Sequence, residues 1–337
     1  HDPARILCGL DFPRSQPEEF ALRIAVVALG KIGLPLAVQF ASKGHEVIGV
    51  DVSKRRVELV NEAKEPFPGE ACLQELLSEA VSSGRLRATT DYAEAIPEAE
   101  AVILVVPLVV DEDSTPDFRW MDAATRSLAE HLSENTIVSY ETTLPVGTTR
   151  ERWKPMIEEI SGLKEGKDFH LVFSPERVLT GRVFADLRRY PKLVGGLNES
   201  GTAAGIALYE QLLDFEERSD LPRGNGVWDM GSAEAAELAK LAETTYRDVN
   251  IALANQFAIF ADRADIDIYT VIEACNSQPY SHLHRPGIAV GGHCIPVYPR
   301  LYLSSDPDAD VVSTARAANA AMPEYVVSKL AEVLGDL

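Results

Sequence analysis

The sequence predicts an α/β protein in two parts: a doubly wound, mostly parallel sheet, then a helical region built on one long helix. Three observations carry this. Short apolar runs alternate with amphipathic stretches from Arg23 to about residue 195. The stretch Ser232–Arg263, rich in Ala, Leu and Glu, contains neither Gly nor Pro. The length of 337 residues, 46% of them hydrophobic, suffices for two cores at ~100–200 residues per domain.

The elements follow in order. Arg23–Val27 is an apolar run closing on Ala28-Leu29-Gly30 and reads as a strand. Ile32–Lys43 keeps its apolar residues on one face and reads as a helix. Glu46–Val50 is a second strand, closed by Asp51. Strand, glycine turn, helix and strand make a βαβ unit with a right-handed crossover. Helices are expected at Lys54–Ala63 and Leu73–Ser83, and a buried strand at Ala101–Val106, ending on Pro107. A helix at Asp122–Leu132, a strand at Thr136–Tyr140 and a helix at Thr148–Ile160 follow, with strands at Phe169–Phe173 and Lys192–Gly195. At ~1.5 Å per residue the Ser232–Arg263 helix is too long for one small domain to cover, so it is expected to bridge domains or to pair with its copy in a dimer. Residues 267–276 read as a helix, 277–300 as a Gly/Pro/His-rich loop, and 310–335 as helical.

The net charge is −20, from 52 acidic and 32 basic residues. Such a surface repels phosphate backbones, which argues against nucleic-acid binding and requires a local basic pocket for any polyanionic substrate. The four cysteines, Cys8, Cys72, Cys275 and Cys294, form no C-x-x-C pair. So few in a chain this long argue against a disulfide framework and for a reducing, cytoplasmic compartment. No apolar run reaches ~18 residues, so no membrane span is expected. The charged, Pro-containing start does not read as a signal peptide.

Ala28-Leu29-Gly30-Lys31-Ile32-Gly33 stands where a dinucleotide fingerprint belongs. Gly30 lets the backbone approach a pyrophosphate, Gly33 allows close packing of helix on strand, and the helix N-terminus supplies free N–H groups. Asp51 follows at about the expected ~20 residues, placed to accept from the adenosine ribose hydroxyls and to repel a 2′-phosphate. This favours NAD over NADP. Ala28 replaces the first glycine, which the turn tolerates if its φ stays negative. The first part of the chain thus reads as a Rossmann-like NAD-binding domain, over residues 22–225.

Pro286-Gly287-Ile288-Ala289-Val290-Gly291-Gly292-His293-Cys294 is the second unusual stretch. Bare backbone around one cysteine suits close contact with a ligand. The alternative for Cys294 is a small buried hydrophobe, the reading preferred for Cys275. His282, His284, His293 and Cys294 have zinc-ligand chemistry, but their spacing fits no paired-ligand motif and no metal is expected.

These motifs, together with Thr142-Thr143-Leu144-Pro145-Val146-Gly147-Thr148, Ser174-Pro175-Glu176-Arg177-Val178 and the helix carrying Lys240, resemble those of the UDP-glucose and UDP-N-acetylmannosamine dehydrogenase family, the nucleotide-sugar 6-dehydrogenases. The resemblance runs from about Arg23 to the end. It implies oxidation of the C6 alcohol of a UDP- or dTDP-linked hexose or N-acetylhexosamine to a uronate, with two NAD consumed. Cys294 is implied as the nucleophile of a thiohemiacetal and then a thioester. Lys240 is implied to stabilise oxygen charge, Glu176 to act as base for hydrolysis, and Thr143 to position a water or hydroxyl. The cofactor residues implied are Gly30, Lys31, Ile32, Gly33, Asp51, Pro107 and Thr143. The substrate residues are Glu176, Arg177, Val178, Lys240, Arg285, Gly287 and Gly291. The Glu176-Arg177-Val178-Leu179 form is closer to the bacterial branch that includes N-acetylhexosamine substrates.

Three positions depart from the family's best-known pattern. Thr244 stands for an Asn, Tyr298 for an Asp, and Thr180 for a second Glu. The family also implies a central helical domain, here residues 226–322, and a homodimer through the 232–263 helix. A third, nucleotide-binding domain is expected beyond a linker that starts at 323–337. Two alternatives stand beside this reading: a two-electron hydroxyacid-type dehydrogenase, and a degenerate NAD-binding paralogue.

Overall fold

The computed structural model describes residues 21–111, 113–292 and 294–335. Residues 1–21 read from the sequence as an irregular N-terminal extension, and all of it but Ala21 lies outside the described residues. The chain divides into two compact units. One takes in the chain up to Leu108 together with Phe118–Glu237, and the other Val109–Asp117 together with the chain from Leu238 on.

The first unit is a sheet covered by helices. Its strands are β1 (Arg23–Val27), β2 (Glu46–Val50), β3 (Leu86–Thr89), β4 (Ala101–Leu104), β7 (Ile137–Tyr140), β8 (His170–Phe173), β9 (Lys192–Gly196) and β10 (Val227–Asp229). They lie in the order β10-β9-β8-β7-β4-β1-β2-β3. From β3 to β8 every pairing is parallel. β9 joins β8 antiparallel through Val172↔Gly196 and Phe173↔Gly195, and β10 runs parallel to β9. The strand order reverses direction between β1 and β4, the switch point at which open α/β sheets bind ligands. Both strands are buried there, Ile24–Val27 and Ala101–Leu104, which is why they read as unbroken apolar runs. The doubly wound expectation is met.

The crossovers carry α1 (Gly33–Ser42), α2 (Lys54–Asn61), α3 (Leu73–Ser82), α4 (Tyr92–Ala95), α5 (Arg119–Ala129), α6 (Lys154–Ser161), α7 (Val183–Arg189) and α8 (Glu199–Leu212). Leu34, Leu36 and Phe40 of α1 pack with Leu73, Leu76 and Leu77 of α3 in the core. A π-helical turn, Thr149–Trp153, precedes α6, where a plain helix was expected from Thr148. The unread helix α8 contains Gly201 and Gly205, residues that weaken a helical pattern. Gly205 is needed for packing: a Cβ there would lie 2.8 Å from Val194 Cγ1 on β9.

The second unit holds the two-stranded β5 (Val109–Val110) and β6 (Pro116–Asp117), most of α9 (Ala233–Arg263), and α10 (Ile268–Asn276), α11 (Cys294–Ser305) and α12 (Asp310–Leu334). α9 confirms the long helix. Leu241, Ala252, Ala254 and Ala261 on it are buried, as are Ile272, Leu301, Val312 and Met322 elsewhere in this unit. The expected loop 277–300 ends earlier, because Cys294 opens α11. α12 meets the expected helix at 310–335, with Pro323 inside it, and Pro299 lies inside α11. Among the described residues no helix is long and apolar enough to cross a membrane. Cys72 is disulfide-bonded, a pairing that the cysteine spacing did not signal. The free cysteines among the described residues are Cys275 and Cys294.

Candidate active site

The dinucleotide cradle lies in the first unit, at the C-terminal ends of β1, β2 and β4. Ala28 adopts φ +76°, so the turn keeps its left-handed conformation in spite of the methyl group, and the expected negative φ is corrected. A Cβ on Gly33 would stand 1.9 Å from the Ala28 carbonyl oxygen, whereas one on Gly30 would meet nothing within 4 Å. Gly33 therefore serves helix packing, and Gly30 leaves open room at the start of α1, beside the exposed Lys31 and half-buried Ile32. A mostly apolar cavity of about 390 Å³ adjoins the turn, lined by residues that include Ala28, Asp51, Tyr92, Pro107 and Trp120. Asp51 is buried. Its carboxylate accepts from Leu29 N at 2.8 Å, Ser53 N at 2.9 Å and Arg56 Nη1 at 2.7 Å. With about four lone-pair directions on a carboxylate, an acceptor remains for a hydroxyl. A flat apolar slot, an acid at its rim and bare backbone beside a helix N-terminus fit the adenosine and pyrophosphate of NAD.

Thr143 and Glu176 follow the neighbouring strands β7 and β8. Thr143 is buried in the turn after β7, and Thr142 donates to Val106 O at 2.7 Å. That turn is pinned by Glu237, fully buried in the first turns of α9, which accepts from Gly147 N at 2.6 Å, Thr149 N at 3.0 Å and Thr149 Oγ1 at 2.7 Å. Burial pushes the Glu237 carboxyl up to about 7 against these donors.

Glu176 is not the surface carboxylate that its sequence context would allow. Its Oε1 accepts from Arg177 N at 2.6 Å and Val178 N at 3.2 Å, and its Oε2 lies 3.0 Å from the Lys192 ammonium. Lys192, buried at the start of β9, also meets Glu141 Oε2 at 2.8 Å. Glu141 Oε1 in turn faces the Tyr209 hydroxyl at 2.6 Å, and that hydroxyl lies 2.7 Å from Ser139 Oγ. Burial raises the Glu141 carboxyl to about 7. Burial raises Glu176 too, but Lys192 and the backbone donors outweigh it and hold the group below the usual value. Arg177 reaches Pro191 O at 3.4 Å, and half-buried Val178 packs on the core.

In the second unit Cys294 is half-buried at the first position of α11. Free N–H groups at a helix start are the donors that an oxygen anion on a carbon bonded to Sγ would need. Lys240 is buried on α9 rather than solvent-exposed, and its ammonium lies 5.7 Å from the ring centroid of Tyr298, one turn beyond Cys294. The aromatic face thus receives the cation where the family pattern has a carboxylate. The Thr244 hydroxyl donates to Lys240 O at 3.1 Å and Leu241 O at 3.0 Å, bonding its own helix. In the loop before Cys294, Gly287 N donates to Asn255 Oδ1 at 2.9 Å, while Arg285 and Gly291 are exposed. His293 lies outside the described residues, and among the described ones no three His, Cys, Asp or Glu side chains gather as a metal site.

Lys192, Glu141, Tyr209 and Arg56 escaped the sequence reading. Lys192 stood out only as a charge opening a buried strand, and Glu141 only as an acid directly before Thr142-Thr143.

Residues 22–213 match the NAD-binding domain of the UDP-glucose/GDP-mannose dehydrogenase family, and residues 234–321 match its central domain. A UDP-N-acetyl-D-mannosamine dehydrogenase of Pyrococcus horikoshii is 36% identical over 314 residues, covering 93% of this chain and 72% of the relative. An NDP-N-acetyl-D-galactosaminuronic acid dehydrogenase of Ralstonia solanacearum is 36% identical over 315 residues, covering 91% and 70%. A solved structure of UDP-D-ManNAc dehydrogenase from Pyrococcus horikoshii superposes with a TM-score of 0.84 at 34% identity, covering 93% of this chain and 72% of that one. With both domain matches in chain order and an NAD cradle at the first strand turn, the chain belongs to the UDP-glucose/GDP-mannose dehydrogenase family of NAD-dependent oxidoreductases.

Proposed function

We propose that this chain oxidises the C6 alcohol of a nucleotide-linked N-acetylhexosamine to the carboxylate, through a thioester on Cys294. The observation that carries the reading is a free, half-buried thiol at a helix start, with a buried lysine ammonium over the aromatic ring one turn further along. The N-acetyl preference is supported by the Glu176-Arg177-Val178-Leu179 segment and by relatives named for N-acetylated sugars.

NAD, when bound, takes up one hydride in each of two oxidations. The alcohol loses a hydride and a proton to become the aldehyde. Cys294 Sγ bonds to the aldehyde carbon, and the resulting oxygen anion needs a donor, the part assigned to Lys240 and the N–H groups opening α11. Loss of the second hydride leaves the thioester. Glu176 takes a proton from the attacking water, the C–S bond breaks, and the carboxylate leaves with the thiol restored. Thr143 is assigned to hold that water or the substrate hydroxyl. Arg177, Val178, Arg285, Gly287 and Gly291 are assigned to the substrate. In total one alcohol, one water and two NAD give one carboxylate, two NADH and three protons.

A panel of nucleotide sugars tests this. UDP-N-acetylhexosamines should release NADH at a ratio of two per sugar consumed. A ratio of one would point to a two-electron dehydrogenase, and no release with NAD bound would point to a paralogue that has lost its chemistry.

We also propose that a second copy covers α9. Tyr246, Leu253, Phe257 and Phe260 are exposed on it at spacings of seven, four and three residues, one face of a helix. Light scattering should give twice the chain mass, and a monomer at micromolar concentration would remove this part.

A further inference from the structure

The proposed chemistry touches the buried cluster around Lys192 only at Glu176, yet the cluster has more members than holding one carboxylate requires. It gathers Ser139 and Glu141 at the end of β7, Glu176 after β8, Lys192 on β9 and Tyr209 on α8. Two carboxylates contact one ammonium, Glu141 at 2.8 Å and Glu176 at 3.0 Å, with Lys192 and Glu141 buried and Glu176 at the edge of the cluster, partly open to water. If both are ionised, the cluster holds an uncompensated buried charge, which favours uptake of one proton by the pair.

Geometry decides where that proton sits. Glu176 Oε1 already accepts from two backbone N–H groups, Arg177 and Val178, which favour its charged form. Glu141 Oε1 faces only a hydroxyl, that of Tyr209 at 2.6 Å. The Tyr209 and Ser139 hydroxyls lie 2.7 Å apart and either can be the donor, so the pair can turn round when Glu141 takes a proton. Glu141 can thus be neutral or charged without leaving a partner unsatisfied, and Glu176 cannot. The direction of the Glu141 shift, upward through burial, agrees. The Lys192 ammonium also lies 4.8 Å over the Tyr209 ring, which closes the cluster on its remaining side.

We propose that Glu141, Lys192 and Tyr209 are positioning residues for Glu176, and that a proton exchanged on Glu141 sets how strongly Glu176 is held and how basic it is. With Glu141 neutral, the whole lysine charge falls on Glu176 and weakens it as a base. When Glu141 ionises, the lysine is shared and a second negative charge stands nearby, so Glu176 takes protons more readily. The cluster turns a rise in pH into a stronger base. This rests on the proposed function only for the part of Glu176 as base.

The test is Glu141→Gln, which keeps the shape and removes the proton exchange, with NAD affinity as the check on folding. In the unaltered protein, hydrolysis of the acyl intermediate should rise about tenfold between pH 6 and 8, as expected for one group ionising near the middle of that range. In Glu141→Gln it should stay flat and lie about tenfold lower at pH 8. Infrared spectra with labelled glutamate read the proton itself. Glu141→Gln should remove one protonated-carboxyl component near neutrality and leave that of Glu237. Glu176→Gln should move the Glu141 component to lower pH, because the like charge is gone. An unchanged spectrum in Glu141→Gln, or an unmoved component in Glu176→Gln, would overturn the proposal. Full turnover by Glu176→Gln with the component still moved would support the cluster and remove Glu176 from the role of base.

Discussion

Cys294→Ser is expected to bind NAD normally and to lose uronate formation by about a thousandfold or more. A serine hydroxyl is a far weaker nucleophile than a thiolate. His293, the adjacent residue in sequence, lies outside the described residues. The change removes no core packing, since the side chain is half-buried at the opening of α11, so the melting temperature should stay within about 2 °C. Steady-state NADH release and a thermal scan check both halves. A serine variant that makes uronate at the normal rate would reject the covalent route while leaving the NAD cradle untouched.

Gly33→Ala should have the largest effect on the fold. The added carbon would stand 1.9 Å from the Ala28 carbonyl oxygen and 3.1 Å from its carbonyl carbon, and both are backbone atoms that cannot turn away. Ala28 already holds a left-handed φ of +76°, so the turn has little freedom left to move. A loss of roughly 3 kcal/mol is expected, with NAD affinity falling at least about tenfold. Gly30→Ala separates the two roles of the turn. Its Cβ meets nothing within 4 Å, so the protein should fold as before yet bind NAD more weakly, because the methyl group occupies the approach of the pyrophosphate. Denaturation and calorimetry on the pair check this. A Gly33→Ala protein as stable as its parent would contradict the packing role.

The sequence was legible wherever burial alone decides. β1 from Ile24 on and β4 are buried on both faces and show as apolar runs, and the Gly-free, Pro-free α9 shows as a helix. The elements missed are those whose residues obey a neighbour rather than a period. α8 hides behind Gly201 and Gly205, one of which is small because β9 presses on it. β3, with its exposed Arg87, is half polar because it lies at the edge of the sheet. α11 begins inside a run rich in Gly and Pro, so residue type hid its start, whereas α12 spans Asp310–Leu334, close to the expected 310–335, with Pro323 inside it.

The site divided in the same way. Gly30, Gly33 and Asp51 belong to one βαβ unit and were legible as a local motif, and Pro107, after β4, lines the adjoining cavity with Asp51. Glu141, Lys192 and Tyr209 are far apart in sequence and come together only when β7, β9 and α8 pack. No local spacing could have joined them to Glu176. Tyr298 was legible only as a departure from a pattern, and the structure supplies its physical sense as a ring that receives the Lys240 ammonium.

The covalent role of Cys294 is tested most directly by mixing enzyme, excess NAD and the nucleotide sugar, quenching within the first turnover, and weighing the peptide that contains Cys294. The expected result is a transient mass increase equal to the oxidised sugar nucleotide bound as a thioester, released by hydroxylamine and absent in Cys294→Ser. Complete conversion to uronate with that peptide unmodified at every time point would contradict it.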